Sequence, residues 1–457
     1  MDYRSIDPSS GALLDERPAH GPKEVERILA ASDAAFRDWR RRSVAEREEL
    51  LGCFADVLER DVEQLALLVT SEMGKPLAQA RAEVLKCADG VRYYAEHAER
   101  LLAPRAVDGL GVLRGYVRYD PTGTVLAVMP WNFPMWQAVR MMAPVVAGGN
   151  TLLLKSAPNT MGTGEAIVEA LREAGMPDAV VQTLRVEPDV IAEAIADDRV
   201  RGVSFTGSTR GGRAVASVAG AHGKRTVLEL GGSDPFVVLD DADVEHAGRT
   251  AADARLINCG QSCIAAKRFI VDRSVADGFT HAMASRLAEA VVGDPRDPAT
   301  TVGPMAREDL RDGIERQVER SIAAGADVLV PGGRMDGPGF FFAPTLLTGV
   351  TREHAVGDEE TFGPAGAIIV VDGLDAAVDA ANDTEYGLGA AVWSRDVERA
   401  EAVAARIDAG VITINGLNAS DARLPFGGVK ASGYGRELGE EGIREFVNVK
   451  AVRVARA

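Results

Sequence analysis

The chain of 457 residues has little from which to build a metal or disulfide scaffold. Its four cysteines, Cys53, Cys87, Cys259 and Cys263, form no C-x-x-C pair, and its six histidines are scattered. That usage disfavours a zinc site, implies no bound metal and points to a reducing compartment. Positive charge is also in deficit, with a net charge of −17. An acidic surface repels polyanions, so nucleic acid is not an expected partner, although backbone N–H groups can still bind phosphate locally. No run of about 18 apolar residues is present to cross a membrane. The most apolar stretches, near Val125–Met135 and Met141–Leu154, are broken by proline, glycine or asparagine. The start, MDYRSIDPSSG, lacks the apolar core of a secretory leader. The expectation is a cytoplasmic protein.

What is present is ordinary globular material. At 46% hydrophobic and 26% charged, the chain can bury a sizeable core, and its length suggests two or three domains. The first hundred residues read as helices, with Val25, Ile28, Leu29, Phe36 and Trp39 at helical spacing, then Leu50, Leu51, Phe54, Val57 and Leu58. After Pro104 a stretch richer in glycine and alternation reads as a β-hairpin or extended arm. From Thr124 to Leu230 short apolar strands (TVLAVMP, NTLLLK, AVVQTLRV, GVSFTG, RTVLEL) alternate with helical stretches. This pattern predicts a parallel, doubly wound sheet with ligands beyond the carboxyl ends of its strands. A second α/β run extends from Asp234 to about Asn415, and the tail ends in an alternation suited to pairing with the arm.

Four segments carry residues suited to chemistry. Cys263 closes the run Asn258-Cys-Gly-Gln-Ser-Cys263, where a thiolate presented at a cleft would attack an electrophilic carbon, though a lone cysteine is more often structural. Glu229 ends an apolar strand, where partial burial would raise its pKa and suit it to act as a base; a solvated strand end is the alternative. In Pro130-Trp-Asn-Phe-Pro134 two prolines fix the backbone around Asn132, whose amide N–H could hold an oxyanion or simply belong to a rigid aromatic turn. Phe205-Thr-Gly-Ser-Thr-Arg-Gly-Gly212 follows a strand and opens a helix, a place for phosphate, but it is not the G-x-G-x-x-G fingerprint.

Taken together and in this order, these segments resemble the aldehyde dehydrogenase superfamily over nearly the whole chain. The resemblance is carried by Glu72-Met-Gly-Lys-Pro76, PWNFP, Lys155, FTGST, LELGG, GQSC, Glu360-Thr-Phe-Gly-Pro364, and Pro425-Phe-Gly-Gly-Val-Lys430 with Ser432-Gly-Tyr-Gly-Arg436. It implies an α/β fold with a Rossmann-type cofactor domain (1–102 and 122–230, with a return segment 424–444), an α/β catalytic domain (231–423) and a small β oligomerisation arm (103–121 and 445–457). It implies Cys263 as the nucleophile forming a thiohemiacetal, Asn132 as an oxyanion donor, hydride transfer to a nicotinamide, and Glu229 activating water against the resulting thioester. For the cofactor it implies roles for Trp131, Lys155, Gly207, Ser208, Gly212, Leu230, Glu360 and Phe362. Where NAD-specific members carry a glutamate that repels a 2′-phosphate, this chain has Pro158. NAD or NADP is therefore expected, with a slight lean to NAD because Pro158 attracts no phosphate.

For the substrate, the resemblance is strongest to bacterial succinate-semialdehyde dehydrogenases. Arg140 matches an arginine that pairs with the far carboxylate of a short semialdehyde, and Ser420 matches a serine assisting it; the alternative for Arg140 is a salt bridge to a neighbouring acid. A second arginine of some relatives is replaced by Ile257. Other short aldehydes rank second. Glu229 argues against an acylating relative that passes its thioester to coenzyme A. The retained thiol and carboxylate argue against a non-catalytic protein. A cysteine hydrolase would need a histidine base that none of these motifs supplies. Cys259 reads as a packing residue rather than a redox partner of Cys263. A homodimer or homotetramer is expected.

Overall fold

A computed structural model describes residues 3–110 and 112–455; Met1, Asp2, Gly111, Arg456 and Ala457, which fall within the expected cofactor domain and arm, lie outside the described residues. The chain opens with an antiparallel strand pair, Tyr3–Ile6 and Leu13–Arg17, where sequence periodicity suggested helix. These strands are short; Tyr3–Ile6 turns Tyr3 and the polar Ser5 inward, and Leu13 and Leu14 are exposed, so no apolar alternation marks the pair. Helices follow at 22–39, 44–60, 62–73 and 77–101. The helix Pro22–Trp39 starts on a proline, which needs no N–H in the first turn. The helix Val44–Arg60 is closed by a reciprocal capping box between Ser43 and Glu46. Trp39 is buried, its indole donating to the Val146 carbonyl at 3.1 Å, which ties the first helix to the helix Trp136–Ala147.

The first large sheet has the order Gly433–Tyr434, Arg225–Glu229, Val200–Thr206, Thr124–Val128, Thr151–Lys155, Val181–Thr183. All neighbours are parallel except Gly433–Tyr434, which the return segment adds antiparallel beside Arg225–Glu229. Thr124–Val128 is buried at every position, and Thr151–Lys155 stays buried until Lys155, as expected of strands covered on both faces. Strand order reverses between Thr124–Val128 and Val200–Thr206, which opens a crevice beyond their carboxyl ends. The second sheet has seven strands around a parallel core of Ala365–Val371, Arg268–Asp272, Pro235–Val238 and Gly389–Trp393. A third, antiparallel sheet pairs Val447–Val454 with Arg114–Pro121, residue for residue from Val447 opposite Pro121 to Val454 opposite Arg114.

Candidate active site

The loop bearing Cys263 is built under constraint. After the helix Val244–Leu256, three successive residues adopt left-handed backbone: Asn258 (φ 53°), Cys259 (φ 55°) and Gly260 (φ 71°). Asparagine tolerates this conformation, a cysteine does so only at a cost, and the surroundings must hold it. A side chain at Gly260 would come within 2.3 Å of the Gly363 carbonyl oxygen, so this loop seats directly on the segment 360–364. Lys267 then clamps the turn from inside. Its buried Nζ donates to the carbonyls of Ser262 (3.0 Å), Cys263 (2.8 Å) and Ala265 (3.0 Å). The sequence alone marks no role for this lysine, four residues past the GQSC motif. Cys259 lies buried with its sulfur 3.8 Å from that of Met305, a packing position.

Asn132 reaches the same loop from the first sheet. Its Nδ2 donates to the Gln261 carbonyl at 3.1 Å, and its own main-chain carbonyl accepts from Asn258 Nδ2 at 2.7 Å. One amide proton is so engaged, and the second remains for another acceptor. The turn around Asn132 is held by a buried ion pair between Lys75 and Glu83. Glu83 also accepts from the backbone N–H groups of Met135 and Trp136, each at 3.0 Å, which satisfies the N-terminus of the following helix.

Glu229 stands at the carboxyl end of its strand, 2% exposed, and neither carboxylate oxygen has a hydrogen-bond partner among the described residues. Burial pushes its pKa up to about 8; the charge of Glu437 adds to the rise, while Arg140 and Arg436 oppose it. Burial likewise pushes the Cys263 thiol up to about 12, with Arg140 and Lys267 pulling it down. The resting sulfur is therefore a thiol at neutral pH.

The crevice beside these groups carries the features of a dinucleotide site. Ser208 caps the helix Thr209–Ala221, its hydroxyl accepting from the Gly211 N–H at 3.2 Å, and the Gly207 N–H donates to the Glu229 carbonyl at 2.9 Å. At Gly212 a Cβ would lie 2.3 Å from Leu230, so glycine lets the helix start approach the strand end. The Thr206 hydroxyl is buried there without a partner. Lys155 emerges from its strand largely buried, its pKa drawn down to about 8 by desolvation, and Pro158 is exposed nearby on a short 3-10 turn. Glu360 Oε1 accepts from the Gly232 N–H at 2.9 Å, and burial raises its pKa. Phe362 meets Trp131 edge-on, ring centres 5.7 Å apart. An orphaned hydroxyl, a capped helix N-terminus, a lysine and a carboxylate fit a nicotinamide dinucleotide.

The expected substrate residues divide. Arg140 is buried, its Nε 2.5 Å from Glu437 Oε2 and its guanidinium 4.6 Å over the Phe426 ring. A neighbouring acid is thus present, yet Arg140 Nε and Nη2 are buried without a hydrogen-bond partner among the described residues. Glu437 directly follows the motif Ser432–Arg436, but only the fold brings it to Arg140. Ser420 Oγ accepts from Lys86 Nζ and from Trp136 Nε1, both at 2.9 Å.

Residues 1–452 match the family described as the aldehyde dehydrogenase family. The chain is 45% identical over 457 residues, covering 100% of both, to a protein of Mycobacterium tuberculosis named succinate-semialdehyde dehydrogenase [NADP(+)] 1. It is 44% identical over 450 residues (98% of this chain, 97% of the other) to the Escherichia coli K12 succinate semialdehyde dehydrogenase [NAD(P)+]. Among solved structures, succinic semialdehyde dehydrogenase from Streptococcus pyogenes in complex with NADP+ superposes with a TM-score of 0.97 at 36% identity, covering 99% of this chain and 100% of that one.

Proposed function

Because the chain belongs to the aldehyde dehydrogenase family, we propose that it oxidises succinate semialdehyde to succinate, with NAD or NADP as acceptor, through a thioester on Cys263. The observation that carries this reading is the meeting of three groups from different parts of the fold. They are a thiol on a clamped loop, an amide tied to that loop, and a buried carboxylate with no hydrogen-bond partner among the described residues.

Each group has a part in the chemistry. The Cys263 sulfur adds to the aldehyde carbon as its S–H bond breaks, the thiol proton passing to solvent water. The free Asn132 N–H and the Cys263 backbone N–H stabilise the oxyanion that forms. A bound nicotinamide supplies the two-electron acceptor for this oxidation. Glu229, poised at about 8, then takes a proton from water as it attacks the thioester and frees succinate and the thiol. Glu360, Phe362 and Trp131 would hold the nicotinamide end, and Lys155, Gly207, Ser208, Gly212 and Leu230 the adenosine and phosphate side. Arg140 adds positive field near Cys263 and Glu229, its charge shared with Glu437.

On the cofactor, the slight lean to NAD finds no support in the names of the relatives, which print NADP(+) or NAD(P)+. No carboxylate stands at Pro158 to repel a 2′-phosphate. We therefore read the enzyme as accepting NADP as well as NAD. The three-stranded sheet is read as an assembly surface for a homodimer or homotetramer. Among the described residues no helix is long and apolar enough to cross a membrane.

A panel of succinate semialdehyde, butanal and acetaldehyde, each assayed with NAD and with NADP, tests the reading. Succinate semialdehyde should give the highest kcat/KM, with NADP supporting turnover. A preference for butanal would overturn the substrate assignment, and turnover with NAD alone would overturn the cofactor assignment.

A further inference from the structure

Two fully buried cations lie against the loop that carries Cys263, and the chemistry above uses neither. Arg255, near the end of the helix Val244–Leu256, and Lys267, just before the strand Arg268–Asp272, are each 0% exposed. Arg255 Nη2 donates to the Gly260 carbonyl at 2.5 Å, while its Nε and Nη1 have no hydrogen-bond partner among the described residues. Lys267 Nζ donates to the carbonyls of Ser262, Cys263 and Ala265. Among the described residues neither cation makes an ion pair. The acids whose charges reach both are occupied elsewhere. Asp234 accepts from the Gly389 N–H at 3.0 Å and from Asn418 Nδ2 at 3.1 Å, and Glu360 accepts from the Gly232 N–H at 2.9 Å. A buried charge without a counter-ion is costly, and proteins ordinarily pair it or discharge it.

The geometry around Lys267 rules out discharge. Burial pulls its pKa down, yet three carbonyl oxygens surround Nζ, at 3.0, 2.8 and 3.0 Å. A neutral amine has two N–H donors and would turn its lone pair on the third carbonyl. Lys267 is therefore an ammonium, fixed in one place under the loop. The charges that reach the Cys263 sulfur come from every side of it. Arg140 and Lys267 favour the thiolate, and Glu229 and Asp234 oppose it. Arg140 has Glu437 beside it, but Lys267 has no carboxylate at ion-pairing distance among the described residues, so a negative sulfur supplies the charge missing there. The Ser262 carbonyl, moreover, belongs to the peptide group whose N–H is that of Cys263. A cation on that carbonyl polarises the group and strengthens the N–H as a donor to an oxyanion.

We propose that Lys267 is a positioning residue that readies the nucleophile. It fixes the peptide groups on both sides of Cys263 and supplies the positive charge against which the thiolate and the oxyanion form, while Arg255 holds the start of the same loop. The inference rests on Cys263 being the nucleophile.

The test follows iodoacetamide alkylation of Cys263 against pH, without aldehyde, in the native enzyme, Lys267→Met and Lys267→Gln. Fragment-ion mass spectrometry separates Cys263 from Cys259. Lys267→Met removes the charge and the hydrogen bonds at similar length, whereas Lys267→Gln keeps N–H donors and loses the charge. Below the thiol's pKa the rate tracks the thiolate fraction, so both variants should react about tenfold more slowly than the native enzyme at each pH, the effect of one pKa unit. Lys267→Gln should nevertheless melt closer to the native enzyme than Lys267→Met does. A native alkylation rate in Lys267→Gln would show that hydrogen bonds alone suffice and would overturn the proposal. So would native rates in both variants, or two variants that do not fold, since Lys267 would then be a scaffold residue. Full turnover by native enzyme already alkylated on Cys263 would instead remove that cysteine as the nucleophile, whatever the variants do.

Discussion

Glu229 and Arg140 show how the surroundings of a side chain decide what it can do. Both are buried and charged in type, but Arg140 has an opposite charge beside it in Glu437, whereas neither Glu229 oxygen has a hydrogen-bond partner among the described residues. A buried carboxylate without a partner resists ionisation, which is why Glu229 is pushed up to about 8 rather than lying near the ordinary carboxylate value. The sign of the pH effect follows. As a base Glu229 works only when deprotonated, so steady turnover should fall by about tenfold per pH unit below about 8 and level off above it. In Glu229→Gln the steady rate should drop by roughly 10²–10⁴ and lose that limb. A stopped-flow and steady-state pH series checks both; an unchanged acid limb in the variant would assign it to another group. Glu229, Cys263 and Asn132 were legible in the sequence because each stands in a short motif. The pairing of Arg140 with Glu437 was not, since nearly three hundred positions separate them in the chain. Nor was the convergence of Lys86 and Ser420, whose contact depends on how the helix Leu77–Leu101 lies beside the loop before Pro425.

At the scale of elements, the parallel strands declared themselves through uninterrupted burial. Every apolar stretch read as a strand between Thr124 and Leu230 is one. The opening strand pair escaped because its strands are polar and short and are held by backbone bonds across the turn at Asp7, not by an apolar face. The tail alternation correctly pointed to the arm, and the register of Val447–Val454 on Arg114–Pro121 gives that expectation a geometry. Val447–Val454 is the outer strand of its sheet, with an edge unpaired among the described residues and Val449 55% exposed. Such edges are used or blocked in native proteins. Light scattering at micromolar concentration should therefore find an oligomer, and Val449→Lys should shift it toward lower mass. A native chain that runs as a monomer would contradict the assembly role of the arm.

At the scale of the molecule, the site belongs to neither sheet alone. The first sheet brings Asn132 and Glu229 to the carboxyl ends of its strands, where doubly wound folds bind their ligands. The second brings Cys263 and Glu360 on loops that lock into one another at Gly260 and Gly363. Motif order along the sequence announced the participants, and the docking of the two sheets supplies the distances. The central claim is that the Cys263 sulfur carries the acyl group and Glu229 releases it. The most direct measurement is mass spectrometry on the acid-quenched Glu229→Gln enzyme after mixing with succinate semialdehyde and NADP. The account predicts a burst of about one equivalent of reduced cofactor per site and a succinyl adduct on the peptide containing Cys263. Reduced cofactor formed with no adduct on that peptide, or an adduct on another cysteine, would contradict it.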